Sequence, residues 1–87
     1  MTEIATDDTL ALRALVWTLA EPQRAMRLLD VTGLKPADLR ASASSPATLV
    51  AALGFLENHE PDLVACAAAL DCRPGDLVAM RERLDQA

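Results

Sequence analysis

Cys66 and Cys72 are the only thiols in the chain and His59 is its only imidazole. Nucleophilic or metal chemistry would have to be built from these three residues and their carboxylate neighbours. Thiolate attack needs a base within hydrogen-bond reach, and His59 and Cys66 are separated by Pro61, a residue that starts helices. A thiol inside the apolar run "PDLVACAAAL" fits inert packing better than catalysis. The six-residue step from Cys66 to Cys72 matches neither a zinc knuckle nor a redox CxxC. Glu57, Glu60 and Asp62 stand around His59 and could hold a metal weakly, but a solvated helix junction accounts for the same residues. No second imidazole is present to activate a serine, and the three glycines are too scattered for a phosphate-cradling loop. The expectation is therefore no catalytic residue, no metal and no cofactor.

The remaining candidate for chemistry is a doubled spelling. Lys35-Pro36-Ala37-Asp38-Leu39 returns as Arg73-Pro74-Gly75-Asp76-Leu77. Proline suits the first helical position, because its missing N–H would be unpaired there anyway. Asp38 and Asp76 then fall in the first turn, where free N–H groups and the positive end of the helix dipole favour a carboxylate. The spelling thus reads as a helix start. The residue before each proline is a base where a capping side chain is preferred. Lys35 and Arg73 could hold an anion beside free amides; long side chains turned to solvent, or paired with Asp38 and Asp76, explain them more simply.

The elements that carry these residues follow from five prolines and an apolar pattern. Asp8 or Thr9 can cap a first helix, "TLALRALVWTLA", in which only Arg13 and Thr18 break the apolar surface. A helix so apolar must be covered on more than one side. Pro22 begins "PQRAMRLLD", with Ala25, Met26, Leu28 and Leu29 inward, Gln23, Arg24 and Arg27 in water, and Gly33 as a left-handed terminator. Pro36 begins a short third helix. Ser45 caps, and Pro46 begins, "PATLVAALGFLEN". Pro61 begins the alanine-rich fifth helix, expected to be central because alanines permit close approach. Pro74 begins the sixth, where Arg81 and Asp85 form an i,i+4 pair.

Larger echoes accompany the small one. Thr9-Leu10 matches Thr48-Leu49, and Glu21-Pro22 matches Glu60-Pro61. The expectation is a single domain over residues 1–87, all-α: a compact bundle of five to six short helices built from two pseudo-repeated three-helix units, 8–43 and 46–85.

Composition agrees with the class and narrows the function. Hydrophobic residues make up 52% of the 87 positions, which excludes a disordered tail. Alanine and leucine dominate, tyrosine is absent, and Trp17 and Phe55 are the only aromatics; this is helical chemistry. A net charge of −5 with almost no stacking rings lacks the footprint of a nucleic-acid binder. The start "MTEIATDD" is acidic and reads as no secretion leader. The apolar stretches are too short for a bilayer. A soluble cytoplasmic protein is expected, with both thiols reduced.

The order "LLDVTGLKPADLRA", preceded by "LVWTLAEP" and followed by "LGFLENHEPDLV" and "ALDCRPGDLVAMR", resembles a family of short bacterial helical proteins described only as a domain of unknown function. The resemblance runs from about Ala11 to Leu84. It implies a helical fold and brings no activity, cofactor or site residue.

What is left is surface. The first and fourth helices carry more apolar area than a small bundle readily covers. Trp17, Leu12, Leu19 and Phe55 are the candidate protein-binding residues, Trp17 foremost because tryptophan is enriched at binding hot spots. Core packing is the other reading of each. The expected function is a non-enzymatic protein–protein interaction or regulatory adaptor module, with an unknown protein partner or self-association, no nucleic acid and no membrane. The alternative is a small-molecule carrier or weak enzyme with a pocket between the two repeats, lined by Trp17, Phe55 and Cys66.

Overall fold

Every helix after the first starts at or beside a proline. A computed structural model of the chain describes residues 7–86; the first six positions of the acidic N-terminal stretch lie outside them. Six helices run in order: α1 (Asp7–Leu19), α2 (Pro22–Thr32), α3 (Pro36–Ser42), α4 (Pro46–Glu57), α5 (Glu60–Ala69) and α6 (Pro74–Gln86). There is no strand among the described residues, so the all-α expectation holds. α1 is already helical at Asp7, which places Asp8 and Thr9 inside the helix rather than at its cap.

The helix ends show local chemistry at work. At α2 the Glu21 carboxylate accepts from the N–H groups of Gln23 and Arg24, both at 2.9 Å. These two bonds hold the Glu21 carboxyl below its ordinary pKa. Gly33 ends α2 with φ +74° and donates to the Leu29 carbonyl, the left-handed stop that only glycine reaches without strain. Ser45 sits at the start of α4, but its hydroxyl makes no capping bond.

The doubled spelling has the same meaning at both sites. Asp38 accepts from the N–H of Lys35 at 3.2 Å, and Asp76 from the N–H of Arg73 at 2.9 Å. Each aspartate reaches back one turn to the residue before the proline, which is one half of a capping box. The other half cannot form, because lysine and arginine side chains carry donors and no acceptor. The N–H of the residue before each proline is thus already bonded to the chain's own carboxylate.

Packing gives the two halves unequal parts. α4 is the central helix: it buries Thr48, Leu49, Ala52, Leu53, Phe55 and Leu56 and packs against α1, α2, α5 and α6. The expectation that α5 would be central fails, since Ala65, Ala68 and Ala69 face solvent. α6 buries Leu77, Met80 and Leu84, whereas α3 contributes only Leu39. The likeness expected of two repeats is thus limited to the Asp38 and Asp76 starts: Glu21 caps α2 whereas Glu60 lies inside α5, and the third helices pack unequally. The buried residues join in one cluster drawn from all six helices. A radius of gyration of 12.1 Å is that of a chain this long folded around one core, about 12 Å.

Two helices bury faces that the pattern did not single out. Thr18, one of the two polar residues of the α1 run, is fully buried and satisfies its hydroxyl by donating to the Ala14 carbonyl at 2.9 Å. Met26, expected inside, is 65% exposed. Arg24 takes an inward place on α2 instead.

Candidate functional site

Turning Thr18 inward leaves the opposite face of α1 in solvent. Thr9, Leu12, Arg13 and Val16 lie at i, i+3, i+4 and i+7, which is one helix face. Together with Trp17 and Leu70 they line an open groove of about 360 Å³. Leu12 is 36% exposed and Val16 60%. Leu70 is brought to the groove by the way α5 ends. Asp71 adopts φ +60°, its N–H donates to Ala68, and that of Cys72 donates to Ala67. These are the two bonds of a Schellman stop, and they turn the chain sharply just after Leu70.

Trp17 is held from behind. The Arg24 guanidinium lies 3.7 Å from the ring centroid and donates from Nη2 to the Trp17 carbonyl at 2.7 Å. A cation over an indole face is attractive, and the Trp17 carbonyl, in the last turn of α1, accepts this bond beside one from the Ala20 N–H at 3.3 Å. Trp17 is thus partly core and partly groove wall. Leu19 is partly buried against the core. Phe55 is 5% exposed and belongs to the core, with Arg27 5.8 Å above its ring. Of the four candidate residues, the structure brings Leu12 and Trp17 together and sends Leu19 and Phe55 elsewhere. Phe55 edges a second depression of about 240 Å³ with Arg27, Val31 and His59. Trp17 and Phe55 therefore face different hollows, unlike the shared pocket that a carrier between the repeats would use.

Thr9, Arg13, Val16 and Leu70 complete the groove and were not among the sequence candidates. Arg13 is the only charge within "TLALRALVWTLA", and a lone arginine fixes which side of an otherwise apolar helix meets water. That signal selects Thr9, Leu12 and Val16 as its neighbours. Nothing comparable marks Leu70, which arrives through the α5 turn.

The groups that could do chemistry are committed elsewhere. Cys66 is fully buried, and burial pushes its thiol up to about 11, so it is protonated at neutral pH and no nucleophile. Burial also raises Cys72. Both are free thiols. Of the carboxylates near His59, Glu57 accepts from Arg81, while Asp62 pairs with Arg27 at 3.1 Å and stands 3.9 Å from His59 Nε2. Among the described residues no group of three His, Cys, Asp or Glu side chains gathers in metal-ligand geometry. None of the described helices is long and apolar enough to cross a membrane.

Fold and site together define a small six-helix protein whose distinctive surface is an apolar groove along its first helix. The chain belongs to a family of proteins of unknown function, DUF3572, whose family model matches residues 5–87. Neither the curated proteins nor the solved structures contain a match.

Proposed function

We propose that this protein is a non-enzymatic interaction module, an adaptor or small regulator, which docks apolar side chains of a protein partner in the α1 groove. The observation that carries this reading is the contiguous exposure of Leu12 and Val16 beside Trp17 and Leu70. Water-facing apolar side chains gathered in one concave strip mark an interaction site, whereas single scattered ones do not. Trp17, half buried and braced by Arg24, has the anchored aromatic character typical of binding hot spots. The net charge of −5 argues against nucleic acid as the partner. Two free thiols suit a reducing cytoplasm.

The test is a photo-crosslinking side chain at position 16 in the native cell, with the same group at Met26, on a different helix, as the control. A defined protein adduct from position 16 and not from position 26 is expected. Identical adducts from both positions, or none from either, would remove the groove from the interaction.

A further inference from the structure

We infer that α3 is a latch: the segment from Gly33 to Ser45 opens as a unit, withdrawing Leu39 from the core, while the other five helices stay folded.

One side chain holds the latch. Of residues 33–45 only Leu39 is buried, with Leu34 and Ala43 leaning on the core from either end. Each of the other five helices packs extensively against at least two others, and α3 has no comparable partner. Polar ties to the rest of the protein are equally few. The Ser42 and Thr48 hydroxyls stand 3.4 Å apart, which is long for a bond between hydroxyls. The other side-chain bonds of α3 stay within it or at its start: Ser42 donates to the Asp38 carbonyl, and Asp38 accepts from the Lys35 N–H. Lys35, Asp38 and Arg40 are in no ion pair with another helix among the described residues.

Both ends of the segment permit opening. Gly33, at φ +74°, has the backbone freedom of a hinge, and Ser44 near the other end is exposed. Seven residues are too few to hold a helix in water without packing, for which about 12–15 are needed. Release of Leu39 therefore melts α3, and the segment becomes a flexible connection between α2 and α4. A longer flexible connection costs little, so the release does not pull the five-helix core apart. The opened state brings the Thr48 hydroxyl and the seat of Leu39 to the surface, an apolar site that the closed molecule hides.

The doubled spelling supplies the test. Leu77 holds the same place in α6 as Leu39 in α3, yet α6 also buries Met80 and Leu84. A latch limits what damage at its pin can do: once α3 is off, a worse side chain at position 39 changes nothing further. In urea denaturation of the full chain, Leu39→Asp is expected to lower the midpoint by the same amount as Leu39→Ala, and both variants keep the folded core. Leu77→Asp lowers it much further than Leu77→Ala, to the point of unfolding the chain. Native-state amide exchange is the second readout. In the unaltered protein the α3 amides exchange faster than those of α4 and α6, through an opening far less sensitive to urea than global unfolding. A Leu39→Asp variant that unfolds, or that loses markedly more stability than Leu39→Ala, overturns the latch. So do α3 amides that exchange only together with those of α4 and α6.

Discussion

At the scale of the residue, the contact that sequence logic could least foresee is Arg24 on Trp17. By pattern Arg24 belongs to the wet side of α2, yet its guanidinium covers the indole and bonds the Trp17 carbonyl. Helical periodicity sorts residues into apolar and polar, and so it misplaces an arginine whose planar, weakly hydrated head finds an aromatic face. The consequence is measurable, because Trp17 is the only tryptophan and its emission reports the surroundings of this one ring. Arg24→Ala uncovers the ring, shifting emission to longer wavelength and costing about 1–3 kcal/mol from the lost cation–π contact and charged hydrogen bond. Arg24→Lys keeps the charge without the planar fork and recovers only part of the loss. Unchanged emission in Arg24→Ala would mean that the ring is held by other neighbours.

At the scale of the element, helix starts were legible, as were narrow stripes such as Leu77, Met80 and Leu84 of α6, and the buried face of α1 was not. Prolines at 22, 36, 46, 61 and 74 fix where the chain turns into each helix, because their φ and missing N–H belong to a first turn. The face that α1 buries is a different matter. α1 is apolar nearly all round, so no periodicity chooses between Leu12 and Thr18, and neighbouring helices decide. Leu12 was legible as a surface candidate, while Phe55, on the equally apolar α4, went to the core because α4 is covered by four other helices. The two Asp–amide starts allow the element scale to be tested directly, since they make the same bond in helices of unequal weight. Asp76→Ala loosens the start of α6, which buries Leu77, Met80 and Leu84. It lowers global stability by about 0.5–1.5 kcal/mol in chemical denaturation. Asp38→Ala loosens α3, which buries only Leu39. It frays that helix in amide exchange with little change in the global midpoint, because peripheral elements open locally. Equal global losses for the two variants would show that α3 is as firmly tied into the core as α6.

At the scale of the whole molecule, stability has different sources at the two ends of the pH range. On the acid side the relevant groups are at the surface. The Arg83 guanidinium beside Asp7 holds that carboxyl below its ordinary value, and the α2 amides do the same for Glu21. A depressed folded pKa gives stability above the unfolded pKa of about 4 that is lost as pH falls through the folded value. Exposure and salt keep this contribution small. The alkaline side involves the core. Cys66, packed between α5 and the rest of the bundle, has its thiol raised from about 9 to about 11 by burial. The native state keeps this proton at a pH where the unfolded chain has released it, so the unfolded state binds fewer protons and stability falls as pH rises. The contribution is complete below about pH 9 and is gone once pH passes about 11. Cys72 is raised in the same direction and adds to the slope. Urea denaturation at steps from neutral to strongly alkaline pH will therefore show a steady loss of stability across that window. Cys66→Ala starts from a lower stability, because a buried sulfur is removed, but declines less steeply over the same steps. Parallel slopes for the two proteins would place the alkaline sensitivity in other groups and mean that the Cys66 thiol ionises in the folded protein as readily as in the unfolded chain.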